Sequence, residues 1–586
     1  MGRIKYALAL LLLAPIAAFG DAAPKWVAAS DAHAQVLLEA NAKFSPEQAS
    51  GVGLVAYDTQ AADLGPRRDE RQLAALEAAR AELERRNAAE ADPRVKQDIA
   101  IMLDAIARQR EGIEVEAQFM RPWTDAPRLM FNGLQRLLDP QNPASRKQAA
   151  LERLRRYVGM VEGVTPLTQQ AAARFEESFA NPTLLGPLRA EIVQSLANLP
   201  TYGKGIRELF AQAKIEGADA ALDLLDRQLA DHAKWVQEVV LPRTRTDPTL
   251  PRDYYAFRLR QVGIDIAPEA LVARAQLEFM ETRAAMQQLA PIVAKQQGID
   301  ATDYRDVLRA LKRKQLDEAK IVPYYREVIG KLEQRIRDGK VVDVPKRPMV
   351  MRIGSAAENA AQPAPHFQSA PIIGNKGEQG QFVLPLSNPQ SDGAKSESYD
   401  DFTYEAAAWT LSAHEGRPGH ELQFTSMVER GISLARSFFA RTSVNTEGWA
   451  LYAEAEMVPF EPVEGQLVAL QFRLLRAARA TLDPMLNLGL VTRERAHDLL
   501  VQDVVLSEAM ARQELDRYQF RQPAQAGAYF YGYSRILELR LETELALGAK
   551  FDRLAYNNFL LGQGMLPPDL LAKAVREEFV PAQRAE

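Results

Sequence analysis

Ala413-His414-Glu415-Gly416-Arg417-Pro418-Gly419-His420-Glu421-Leu422-Gln423 holds two of the chain's 6 histidines, with a glutamate directly after the first. Further on comes Thr446-Glu447-Gly448-Trp449-Ala450-Leu451-Tyr452-Ala453-Glu454, which places Glu447 27 residues after His420. Two histidines, an adjacent carboxylate and a later glutamate are the parts of a hydrolytic zinc site. In such a site three protein ligands hold the metal, a fourth position stays open for water, and a carboxylate serves as base. The spacing is unusual. Histidines four residues apart share a helix face. Six residues of regular helix rotate by roughly 240°, and the two rings would point apart. Pro418 removes a backbone donor and Gly419 accepts unusual dihedrals, so the helix can bulge or break between the ligands. The stretch therefore reads as an interrupted zinc helix. The competing reading is a helix that ends at Gly416 and leaves His420 capping or solvated.

The rest of the chain bounds what this site can be. Arg3 and Lys5 precede an apolar run from Ala7 to Phe19, and small residues follow at Ala18, Gly20, Ala22 and Ala23. That pattern predicts a secretory signal peptide over residues 1–22 and a secreted or periplasmic protein, with no membrane contact once it is cleaved. The sequence has no cysteine. Disulfides, thiol catalysis, cysteine-ligated zinc and a lipid anchor on cysteine are excluded. At 586 residues the fold can still bury enough surface to be stable through its core alone. A net charge of −5 with no long basic tract gives no sign of a nucleic-acid groove.

Residues 23–340 read as almost entirely helical, a region forming one side of a cleft. Ile99, Met102, Leu103, Ile106 and Ile113 follow a helical period, as do Leu188, Ile192 and Leu196, and Leu271, Ala275 and Phe279. Asn181-Pro182, Gly186-Pro187, Leu199-Pro200 and Ala267-Pro268 are expected to separate helices. Arg67–Arg86, rich in alternating charge, reads as a solvated helix face. From 341 to 400 the composition shifts to Pro, Gly, Asn and Ser, and Met349–Ile353 and Gln381–Leu384 are strand candidates. His366, in this segment, could meet a substrate carbonyl or be structural. Residues 401–586 return to helix and carry the zinc motif, with Phe402, Ala406, Trp409 and Ala413 packing it against the body. The fold class expected is mainly α, with a small β-sheet before the zinc helix.

Glu415 is the expected general base. Glu421 and Gln423 could hold the histidine rings from behind. Glu454, seven residues after Glu447 and near the same helix face, is a rival third ligand. Arg517, Tyr518, Gln525, Tyr529, Tyr531 and Tyr533 form a C-terminal polar cluster. A tyrosine hydroxyl or an arginine there could face an oxyanion, and Arg517, Arg535 or Arg540 could bind a substrate carboxylate. His33, His232 and His497 are assigned no chemistry.

The pattern HExxPGHxxQ, followed by EGWAxYxE, resembles the bacterial family called domain of unknown function 885, which is grouped with zincin-like metallopeptidases. Asp253–Phe257, Pro268–Leu271, the Arg517-Tyr518 pair with Gln522–Ala526 and Tyr529–Gly532, and Gly562–Pro567 extend the resemblance over most of the chain after about residue 50. Ala524 stands where the family usually has glycine. The resemblance implies a zincin-like gluzincin fold and one Zn2+ per chain on His414, His420 and Glu447. It leaves Glu454 to orient a histidine. It also implies Tyr529 and Tyr518 as oxyanion donors, and a sheet edge, taken here as Gln381–Leu386 with Gln381 and Phe382 meeting substrate, that pairs with an extended peptide. The expected function is a zinc peptidase acting on short peptides. A hydrolase of non-peptide amides or esters, or a binding protein with a degenerate zinc site, would be built from the same residues. The oligomeric state is not legible.

Overall fold

Residues 24–388 and 397–585 are described by the computed structural model of the chain, and the apolar N-terminal run lies outside them. Helices begin where their sequences predict. Pro46, Pro93 and Pro268 each occupy the first helical position of Pro46–Gly51, Pro93–Phe119 and Pro268–Gln297, where the missing N–H costs nothing. Asp92 caps the second of these by accepting from the Arg94 amide. The periodic apolar residues face inward: Ile99, Met102 and Ile106 are buried in Pro93–Phe119, and Leu271, Ala275 and Phe279 in Pro268–Gln297. One expected breaker fails. Pro200 lies inside the helix Arg189–Ala213, because the burial of Ile192, Tyr202, Ile206 and Phe210 on one face outweighs the loss of one backbone hydrogen bond.

Residues 341–400 supply a three-stranded sheet in the order β1-β3-β2, from Val350–Ile353 (β1), His366–Gln368 (β2) and Gln381–Leu384 (β3). β1 runs parallel and β2 antiparallel to β3. β3 is therefore the central strand. This corrects the expectation that Gln381 and Phe382 form a free peptide-binding edge. The backbone of β3 is paired on both sides, and all four of its residues are buried. Phe382 packs edge-on against Tyr325 at 5.7 Å, while the Gln381 side chain bonds Arg352 and Asp139 at 2.6 Å each. A run of consecutive buried apolar residues is what a central strand requires.

Three cores hold the C-terminal half in place, one of them packing Val444, Ala528 and Tyr531 against Tyr255, Phe257 and Leu271. The largest joins Met286 and Val293 of Pro268–Gln297, Phe382 and Leu384 of β3, Trp449 and Leu451 of Ser443–Met457, and Leu467, Leu474 and Leu475 of Val463–Asn487, so it runs across residue 340. A second packs Phe424 and Met427 of His420–Arg430 against Leu37, Leu38, Ile99 and Met102 of the N-terminal helices. No described helix is long and apolar enough to cross a membrane.

The helices Ser443–Met457 and Ala528–Leu547 cross with their backbones in contact. A Cβ at Gly532 would sit 2.1 Å from the Val444 carbonyl oxygen and 2.8 Å from the Gly448 Cα. Only two glycines permit this approach. Gly532→Ala is expected to destabilise by about 1–3 kcal/mol through overpacking. Gly330→Ala, on the helix Glu318–Asp338 with nothing within 4 Å, should be neutral or gain about 0.5–1 kcal/mol from helix propensity. Denaturant titration of both variants checks this, and equal midpoints would refute the crossing constraint.

Candidate metal centre

The helix Glu405–Leu411 widens into a π-helical turn, Ser412–Gly416, and then breaks. Arg417 is extended (φ −121°, ψ 129°), and a new helix starts at His420. The break is thus deeper than a bulge, since the two histidines sit on separate helices. Gly419 is pressed against the end of the first helix. A Cβ there would lie 1.9 Å from the His414 carbonyl oxygen and 2.4 Å from that of Ala413. Arg417 fills the space behind the break and is almost fully buried. It donates to Glu421 at 2.5 Å, to Glu333 at 2.7 Å and to the Arg347 carbonyl at 2.5 Å. Trp449 donates to the Pro418 carbonyl at 3.0 Å and ties the break to the next helix. With the backbone so held, the rings of His414 and His420 meet edge to face, 4.8 Å apart at 80°.

Glu447, on Ser443–Met457, closes the group. Its Oε2 lies 3.1 Å from His420 Nε2 and 3.6 Å from His414 Nε2. The candidate ligand atoms of these three residues all lie within 4.8 Å of one another. A tetrahedral zinc with bonds of 2.0–2.1 Å needs ligands about 3.3 Å apart, so two of the three separations already bracket that value. Burial opposes the Glu447 charge, yet His420 and His414 overcome it and hold its carboxyl well below the usual range. Glu454, two turns further on, occupies the other side of His414. Its Oε1 is 2.6 Å from Nδ1, and it is fixed by Arg476 at 2.9 Å and Thr410 at 3.1 Å. This geometry separates the two glutamates that spacing alone left as rivals. Glu447 meets both Nε2 atoms, and Glu454 backs one ring.

Glu415 is buried beside the cluster, with Oε1 3.9 Å from His414 Nε2. Its Oε2 meets no partner among the described residues. Burial pushes its carboxyl up to about 8, Glu447 and Glu454 add to the rise, and His420 and Arg476 oppose it. A cation among the three ligands would draw it back down. Tyr529 forms the facing wall. Its ring stacks on His414 at 5.9 Å and 15°, and its hydroxyl accepts from Arg517 at 2.9 Å.

Other expected members lie elsewhere. Tyr518 is fully buried and donates to Glu514 at 2.8 Å, so its hydroxyl is turned away from the histidines. Glu421 is held by Arg417 and Thr425. Gln423 approaches the Asn445 carbonyl and Met565 sulfur at 3.5 Å. Neither supports an imidazole. Arg517 is engaged with Gln525, Tyr529 and, at 3.6 Å, Glu514. Arg535 pairs with Asp569 and Arg540 with Glu544, outside the cavity wall. His366 does reach the wall, with Nδ1 3.0 Å from the Ala364 carbonyl oxygen. The sequence reading missed Arg476 and Arg479. Charged residues at three-residue spacing inside the otherwise buried helix Val463–Asn487 were the available signal.

The cluster opens into a cavity of about 330 Å³ whose wall includes His414, Glu415, His420, Glu447 and Tyr529. The family described as "Bacterial protein of unknown function (DUF885)" matches residues 46–575. The fold is similar to a crystal structure from Colwellia psychrerythraea provisionally described as a lipoprotein (18% identity, TM-score 0.75, 94% of this chain and 99% of that one). It is also similar to a structure from Shewanella oneidensis, provisionally a lipoprotein of unknown function (18% identity, TM-score 0.70, 95% and 100%). Among curated proteins none matches.

Removing Arg417 strands the buried Glu421 charge. Arg417→Met is expected to cost about 3–5 kcal/mol, the range for breaking a buried pair. The double variant Arg417→Met/Glu421→Gln should recover much of that loss. Denaturation of the three proteins decides, and a double variant no more stable than the single one would refute the clamp.

Proposed function

The chain belongs to the bacterial DUF885 family of unknown function, and we propose that this member is an exported, zinc-dependent hydrolase of the zincin type, a peptidase acting on short peptides. The observation that carries this reading is the gathering of His414, His420 and Glu447, whose candidate ligand atoms lie within 4.8 Å of one another, with a second carboxylate, Glu415, beside them. Zinc bound there would supply Lewis acidity and make hydroxide available at neutral pH.

The remaining work falls to the protein's own groups. Glu454, against Nδ1 of His414, keeps the ring proton on that nitrogen and turns Nε2 toward the cluster. Glu415 takes a proton from the attacking water and delivers it to the leaving nitrogen. Burial favours its protonated form and a neighbouring cation its carboxylate, and this opposition suits it to accept a proton and release it again. The Tyr529 hydroxyl accepts from Arg517 and so keeps its own proton free to donate to the oxyanion that forms on the carbonyl. A cavity of about 330 Å³, at the small end of ligand sites, suits a few residues of peptide and excludes folded proteins. Peptide strand addition has no support at β3, whose two edges are occupied.

Metal analysis of the purified protein should find one zinc per chain. Glu415→Gln is expected to keep the metal and abolish turnover of a peptide library, and full residual activity would remove it from the base role. Glu447→Ala should lose more zinc affinity than Glu454→Ala, whose loss is expected at about tenfold or more. The reverse order would reassign the third ligand.

A further inference from the structure

Six arginines line the same cavity: Arg128, Arg441, Arg476, Arg479, Arg517 and Arg521. Three are balanced inside the protein. Arg476 pairs with Glu454 at 2.9 Å. Arg479 grips Glu514 through two bonds of 2.7 Å, and Arg517 shares that carboxylate at 3.6 Å. The other three have no carboxylate in ion-pair contact among the described residues. Arg521 bonds only the neutral amide of Gln194. Arg441 stands 4.9 Å over the Phe424 ring. Arg128 has Asp125 and Glu191 in its vicinity, but burial pushes both carboxyls up, Glu191 to about 7, which weakens their countercharge.

These three arginines come from separate parts of the chain: the helix Ala126–Leu137, the loop before Ser443–Met457, and the π-helical turn Arg517–Arg521. Tertiary folding alone gathers them. Burial works to lower the pKa of Arg441 and Arg521, while Arg128 and Arg441 keep solvent access and Arg521 is half-buried. Arg521 also lines an adjoining cavity of about 870 Å³ and so stands where the two spaces meet. These guanidinium groups line one cleft with no carboxylate in ion-pair contact among the described residues, and the planar fork of arginine matches a carboxylate.

We infer that the substrate presents a carboxylate to Arg128, Arg441 and Arg521 while its scissile bond lies at the His414–His420–Glu447 cluster. This rests on the hydrolase reading and names its substrate class: anionic peptides, whose carboxylate is either the chain end or an acidic side chain. The arginines hold the substrate and set its register, and Glu415 and Tyr529 act on the bond.

The test is calorimetric binding to the full-length, zinc-loaded Glu415→Gln protein, which holds peptides without turning them over. The probes are Ala-Ala-Ala as free acid and as C-terminal amide, and the amides of Ala-Glu-Ala and Ala-Gln-Ala. In at least one pair the acid should bind about tenfold or more tighter than its neutral partner, the size of a charge-assisted contact. The pair that discriminates identifies the source of the carboxylate. Arg128→Gln and Arg441→Gln, at solvent-accessible positions, should each lose most of that preference while keeping the parent melting temperature. Equal affinities within both pairs, a preference unchanged in both variants, or no binding of any probe would overturn the inference. Equal affinities with cleavage by the wild type leave the hydrolase standing without the anion site. Acid preference with no cleavage by the wild type leaves the anion site without the hydrolase.

Discussion

The geometry of the centre depends on a backbone break between His414 and His420, and on the buried arginine that holds it open. A continuous helix would set the two rings on different faces. Here a π-helical turn, one extended residue and a glycine without room for a methyl group return the chain so that His420 faces His414. The break leaves the Pro418 carbonyl without a helical partner, and the Arg347 carbonyl of a distant segment faces the same interior. Trp449 and Arg417 satisfy them. Unpaired polar groups in this interior would each cost on the order of 1–3 kcal/mol, so the break persists only because its neighbours complete it.

Charge in the C-terminal half is arranged in layers around that break. Next to the histidines lie Glu447, Glu415 and Glu454. Behind these stand Arg476, Arg479 and Arg517, two of them drawing on the single carboxylate of Glu514. Glu514 is held low, to about 2, because the arginines outweigh its burial, so it stays ionised at any physiological pH. Tyr529 stands between the layers, its ring against His414 and its hydroxyl on Arg517. The close crossing of Ser443–Met457 and Ala528–Leu547 at Gly448 and Gly532 sets this spacing. It explains how residues more than 80 positions apart in sequence (Glu447 and Tyr529,) share one wall.

Much of this was legible beforehand, for local reasons. Helices declared themselves through apolar periodicity and through Pro93 and Pro268 at their starts. The strands Val350–Ile353 and Gln381–Leu384 fell where β-favouring residues follow turn-rich composition. The break was legible because Pro418 and Gly419 are residues whose backbone preferences are known without a fold. Pro200 misled, since a local preference yielded to tertiary packing. The sheet order misled as well: composition finds a strand, but which neighbours flank it depends on chain segments dozens of residues away. Tyr518 and Gln423 matched a pattern in sequence and then turned their polar ends toward other partners.

The sequence by itself determined the chemical inventory: two histidines with an adjacent glutamate, a breakable backbone between them, a helix carrying Glu447 and Glu454 seven residues apart, and no cysteine. Residue chemistry and backbone preference are properties of short stretches. Only the tertiary structure decided which glutamate meets both Nε2 atoms and which backs a single ring. It also made Gln381–Leu384 the central strand and gathered Arg128, Arg441 and Arg521 around one cavity. These outcomes follow from helix crossings and long-range packing, whose distances no local stretch encodes.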